Sequence, residues 1–217
     1  MISARVPPDG PVLLLGPVRG LDGDAVQVLR ALDAYAPTAI GLGVSPEEMR
    51  GLLDYFVRSE AEPVVPLTRA EAGEVQGLVR FGEVGVPNPS LVDTLSWADS
   101  RSVPVAPLDP SDEGAAELFT EHIGYLELVR RTVRERRVGR SPPTPSSADE
   151  FALVWDREVA GGSGSQRFAR ARDRYLARGA ARLAEERGRV AIVVDRERFE
   201  AVRDYLTHGT PLDPSDG

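Results

Sequence analysis

Cysteine and lysine are both absent from the 217 residues, and each absence removes a class of chemistry. Without cysteine there are no disulfides, thiol nucleophiles or thiolate metal sites. Without lysine there is no Schiff-base amine and no P-loop cation, so all 26 basic residues are arginine. Histidine is nearly absent too. His122 lies inside a helical pattern and His208 near the C-terminus; neither follows a strand, and both read as ordinary surface or core residues. Acidic residues outnumber basic ones, and the net charge of -8 argues against general nucleic-acid binding, which needs a basic face. No apolar run approaches the roughly 18 residues of a membrane span. The first ten residues lack a basic region followed by an apolar stretch, so no signal peptide is expected and the expected location is cytoplasmic.

What is present is an arginine placed twice just past a hydrophobic strand. The run Val12-Leu13-Leu14-Leu15 leads through Gly16-Pro17-Val18 to Arg19, and Val190-Ala191-Ile192-Val193-Val194 leads through Asp195-Arg196-Glu197 to Arg198. Charged residues beyond the carboxyl ends of buried strands stand where open α/β sheets build their sites.

Strand and helix patterns alternate along the first half, which predicts a single α/β domain over 1–209, with a disordered tail over 210–217. The expected sheet is central, largely parallel and possibly mixed, covered by helices, with a long helical insertion before the last strand. Strands are expected at 12–15, 38–42, 103–108 and 190–194. The prolines Pro104 and Pro107 mark the third of these as an edge or irregular strand. Ser45-Pro46-Glu47-Glu48 reads as a helix start, with serine as cap and proline at the first helical position. Asp22 or Asp24 is expected to cap the helix before it, and Ser90 a later short one.

One long helix is expected over 111–138, with Leu118, Phe119, Ile123, Leu126, Val129 and Val133 at helical spacing. Arg130, Arg131, Arg134, Arg136 and Arg137 crowd its end, where they complement the helix dipole; the functional alternative is an anion-binding patch. Gly161 to Ser165 reads as a flexible tip between antiparallel helices, and Trp97 and Trp155 read as core anchors.

Taken in order, several segments resemble the TraB family, which groups with pheromone-shutdown proteins and Tiki metalloproteases and, more distantly, with ChaN and erythromycin-esterase-like proteins. The segments are Leu15-Gly16-Pro17-Val18-Arg19, Ile40-Gly41-Leu42-Gly43, Phe81-Gly82-Glu83, Trp97-Ala98, the strand ending at Asp109, the helical stretch beginning at Arg172, and the strand leading to Arg198. The resemblance implies a metal-dependent hydrolase ancestry. It also places the family's two histidines on Arg19 and Arg198 and a family glutamate on Gly43. Arginine stays protonated and has no lone pair for a metal, so the resemblance implies a degenerate site with no metal and no cofactor.

The resemblance leaves Glu83 in place, with Asp109 nearby, and Arg172 on the helix before the last strand. Two guanidiniums supply the charge that a divalent metal would, so Arg19 and Arg198 are expected to pair with Glu83 or Asp109. The expected function is a non-catalytic ligand-binding or regulatory module, with Arg19, Arg172 and Arg198 binding a small anionic ligand or peptide. One alternative is a hydrolase of peptide or ester bonds that uses Glu83 or Asp109 as general base. The other is a homodimeric assembly protein joined through the helix at 111–138.

Overall fold

The computed structural model describes residues 1–7, 9–57 and 67–209, the side chains of Val57 and Arg69 excepted; the tail at 210–217 lies outside the described residues. Among the described residues one sheet runs in the order β1 (Ile2–Val6), β2 (Val12–Gly16), β5 (Val190–Val193), β3 (Ala39–Leu42), β4 (Val105–Pro107). β2, β5, β3 and β4 are parallel, and β1 runs antiparallel to β2 with Ile2 opposite Gly16 and Val6 opposite Val12. The sheet is therefore mixed and mostly parallel. The sequence reading did not include β1, because five residues ending at Pro7 give too short an alternation to mark a strand.

Side-chain alternation divides each central strand between two cores. Leu15, Ile40, Leu42, Ala191 and Val193 face α1 (Asp22–Tyr35), α2 (Pro46–Val57) and α4 (Pro89–Ser100), packing on Val28, Leu32, Met49, Leu91 and Leu95. Leu14, Val190 and Ile192 face α8 (Ser163–Arg187) and α9 (Phe199–His208), packing on Leu176, Ala180, Phe199 and Val202. Burial on both sides explains why these strands read as continuous apolar runs.

A third cluster caps the carboxyl edge of the sheet. Val18 and Leu21, from the loop after β2, pack with Leu78 of α3 (Arg69–Leu78), Val138 of α6 (Tyr125–Val138), and Phe151 and Trp155 of α7 (Ala148–Ala160). Phe151 and Trp155 stack with ring centroids 5.6 Å apart.

Several local expectations are corrected. The helix expected at 111–138 is two helices, α5 (Asp112–His122) and α6, because Ile123 is extended and buried and Gly124 is extended beside it. Gly162 has φ 144°, and α8 begins at Ser163, so the expected flexible tip is a sharp turn followed at once by helix. Asn88, not Ser90, caps α4: its side chain accepts the Ser90 N–H at 3.2 Å. Asp24 does not cap α1; its carboxylate takes the Val18 N–H at 2.7 Å and the N-terminal ammonium of Met1 at 3.0 Å. That carboxylate thereby fixes the turn that carries Arg19.

Candidate functional site

The parallel ladder continues past the strand ends and sets the site residues side by side. Beyond β2 and β5, the Val194 N–H reaches the Leu15 carbonyl at 3.0 Å and the Arg196 N–H the Pro17 carbonyl at 2.9 Å. Beyond β3 and β4, the Leu108 N–H reaches the Leu42 carbonyl at 2.8 Å and the Asp109 N–H the Val44 carbonyl at 3.0 Å. Asp109, Asp195 and Arg198 all emerge on this carboxyl edge.

Arg198 sits in a single 3₁₀ turn that opens α9, and every arm of its guanidinium is engaged. Nε donates to Asp173 Oδ1 at 2.7 Å, Nη1 to Asp109 Oδ2 at 2.7 Å, and Nη2 to Asp109 Oδ1 at 2.8 Å. This is the two-pronged geometry in which arginine binds carboxylate best. Nη1 also lies 3.4 Å from the Gly43 carbonyl.

Arg172, from α8, donates its Nη2 to the same Asp109 Oδ2. The Asp109 side chain is 1% exposed, and both of its oxygens are taken. The cluster thus holds two cations, Arg172 and Arg198, against two anions, Asp109 and Asp173. Burial opposes the charge on Arg198, but the hydrogen bonds and charges of Asp109 and Asp173 outweigh it and hold the group above its ordinary value. On Asp173, burial prevails over Arg198 and raises the carboxyl above its ordinary value.

Arg19 forms a second, separate pair. Its Nε donates to Asp195 Oδ2 at 3.2 Å, and its Nη2 is paired with the same carboxylate. Burial works to raise Asp195, yet the Arg19 charge and hydrogen bond hold it below the ordinary carboxylate value. Arg196, buried between the two pairs in sequence, donates Nε to Asp149 at the start of α7 at 2.8 Å.

Glu83 joins neither cluster. Its side chain is exposed and makes no ion pair among the described residues; its backbone carbonyl accepts the Asp22 N–H at 3.1 Å. Of the expected pairings, Arg198 meets Asp109, whereas Arg19 meets Asp195.

The metal position implied by the TraB resemblance does not fit these residues. The guanidinium of Arg198 lies between Asp109 and Asp173, where a cation would have to sit. A Cβ at Gly43, the position of the family's glutamate, would stand 3.2 Å from both Leu176 Cδ1 and Val194 Cγ1. Among the described residues no three carboxylates or imidazoles stand together as a metal requires.

No family model matches the chain, and no curated protein matches it.

Beside Arg19 opens a cavity of about 770 Å³ between α2, α3 and residues 84–88. Leu52, Tyr55, Val75, Leu78, Val84 and Val86 give it apolar walls. Among the described lining residues Arg19, already paired with Asp195, stands beside Glu48 and Glu74, while Glu71 accepts the Thr68 N–H at 2.7 Å in the capping box of α3. Burial pushes Glu74 up to about 7 despite the lowering effect of Arg19, and burial likewise raises Glu48. Burial and the Asp195 charge push neighbouring Glu197 up to about 8.

The sequence reading missed Asp173, Asp195 and this acidic wall. Asp195 carried the same signal as Asp109, a carboxylate directly past a buried strand. Asp173 and Glu74 gave none, because a lone acid inside a helix reads as solvated.

Proposed function

We propose that the protein is a non-catalytic binding module of TraB-like design. In this reading a neutral arginine–aspartate cluster replaces the metal, and the adjoining cavity takes a small amphipathic ligand bearing a cationic group. The observation that carries the proposal lies among the described lining residues: Glu48 and the desolvated Glu74 face one guanidinium that Asp195 already neutralises. The desolvated Glu74 favours an ammonium or guanidinium over the anion expected from the arginines alone. The apolar walls suit an alkyl or aryl body, and the volume falls in the range of small-molecule sites.

Against the hydrolase using Glu83 or Asp109 stand two placements. Asp109 has both oxygens engaged and no access to a water, and Glu83 lies outside the cavity lining. The hydrolytic alternative keeps one specific support. Glu74, raised to about 7 and sharing the cavity with Arg19, has the properties of a general base beside an oxyanion-stabilising cation.

Isothermal titration with paired alkylamines and alkylcarboxylates of equal chain length separates these readings. The binding module predicts that amines bind and carboxylates do not. It also predicts that amine affinity rises from pH 6 to pH 8, because cation binding favours the ionised Glu74. Carboxylate binding lost in Arg19→Leu would overturn the cationic ligand. Turnover of aryl esters that is abolished in Glu74→Gln would replace the binding module with an enzyme.

A further inference from the structure

α6 is built inside out. Tyr125, Leu126, Val129 and Val133 are 79%, 70%, 47% and 61% exposed. At 100° per residue these four share one outward face. The opposite face carries Glu127, Arg131, Arg134 and Glu135, and the domain holds the helix by Glu127 and by the buried Val138 at its end. Glu127 accepts the N–H groups of Gly164 and Ser165, in the first turn of α8, at 3.1 and 2.7 Å. Within the helix Arg131 Nε donates to Glu135 Oε1 at 2.9 Å, and Arg134 Nη1 is buried without a hydrogen-bond partner among the described residues. A helix lying on an ordinary domain surface has the reverse arrangement, apolar inward and charged outward.

The inward use of Glu127 and Glu135 leaves the outward face of α6 without a carboxylate. Its exposed charges are Arg130, Arg136 and Arg137, with Arg140 following just beyond the helix. The chain as a whole is acidic at -8, so this basic face runs against the net charge. A matching counter-surface must be apolar in its depth and anionic at its rim.

A second copy of the same face would set arginines against arginines about the two-fold axis. A nucleic acid would neutralise the arginines but give Leu126, Val129 and Val133 no aromatic stack to join. A bilayer interface meets both demands, with phosphate at the level of the rim and acyl chain below it.

We propose that α6 docks this protein onto an anionic membrane surface. Tyr125, Leu126, Val129 and Val133 enter the boundary between headgroups and acyl chains, while Arg130, Arg136 and Arg137 lie on the lipid phosphates. The contact is peripheral: among the described residues no helix is long and apolar enough to cross a membrane.

Flotation with vesicles tests this directly, using 30 mol% phosphatidylglycerol in phosphatidylcholine (about one anionic lipid in three) against pure phosphatidylcholine. The expected result is binding to the anionic vesicles at low salt, with at least about tenfold weaker partition into neutral ones. Arg136→Gln with Arg137→Gln should lower partition roughly 30-fold, at about 1 kcal/mol per arginine. Val129→Asp, checked for unchanged circular dichroism, should lower it at least about tenfold.

Absence of flotation with anionic vesicles at low salt would overturn the proposal. So would flotation that neither substitution weakens. A dimer in sedimentation that Val129→Asp dissociates would assign the face to a second copy instead. Equally tight binding of soluble polyglutamate would assign it to an acidic protein partner.

Discussion

Two neighbouring regions at the carboxyl edge of the sheet treat charge in opposite ways. Around Arg198 the charges balance: two guanidiniums meet two carboxylates in a buried cluster in which both Asp109 oxygens are occupied. In the cavity beside Arg19 the one cation among the described lining residues is already paired with Asp195, and burial raises Glu48 and Glu74. A buried cluster with paired charges is a structural solution, held because breaking it strands an ion. A cavity with desolvated carboxylates is the place where the proposed cationic ligand would bind. The difference separates what the arginines do for the fold from what the acids can do for binding.

Breaking the balanced region should have the largest effect. Arg198→Leu leaves Asp109 and Asp173 buried without their main partner, and should cost about 3–5 kcal/mol. Thermal unfolding should show this as a fall in Tm of roughly 10 °C. Adding Asp109→Asn and Asp173→Asn should restore most of the loss, since the penalty lies in stranded charge. Failure of that rescue would mean that Arg198 acts mainly through packing.

Arg19→Leu should cost less, about 1–2 kcal/mol, because its side chain is 53% exposed while Asp195 is 11% exposed. The loss has a defined pH dependence. Asp195 is held below its ordinary value of 3.8, so the pair contributes fully above that value and its contribution fades as pH falls through the lowered one. Wild type and variant should therefore converge in acid; a constant gap would contradict the ion-pair account.

The cavity predicts a change of opposite sign. Glu74 has an ordinary value of 4.5 and a folded value of about 7. Between these pH values the unfolded carboxyl gives up its proton while the folded one keeps it, so wild-type stability falls as pH rises. Glu74→Gln should escape this and become more stable by about 1 kcal/mol. Its advantage over wild type should widen from pH 4.5 to about 7 and then level off. Denaturant titrations at four pH values would measure it. Glu83→Ala, at an exposed residue outside both regions, should stay within about 0.5 kcal/mol of wild type.

The sequence made the central sheet legible because β2, β3 and β5 are buried on both faces and their apolar runs are unbroken. It made the edge position of β4 legible through Pro104 and Pro107. It left the orientation of α6 open, because a 3.6-residue apolar period identifies a face without saying which way that face points. Val129 and Val133 keep perfect helical spacing and look outward.

The candidate site was legible where a charge directly follows a strand, as at Arg19, Asp109 and Arg198. It was illegible where the partner comes from a distant helix: nothing in the chain near Asp173 or Glu74 announces that folding brings each to the carboxyl edge. Glu83 misled for the converse reason, since a Gly-Glu segment matching a family pattern carries no information about exposure.

The central claim is that the Arg198 guanidinium occupies, between Asp109 and Asp173, the place to which the TraB resemblance assigns a metal. Metal content tests it most directly, on untagged protein incubated with zinc, manganese or cobalt and then desalted. The account predicts metal well below one equivalent per chain with each ion, in wild type and in Asp109→Asn alike. One tightly held metal per wild-type chain, lost in Asp109→Asn, would contradict it.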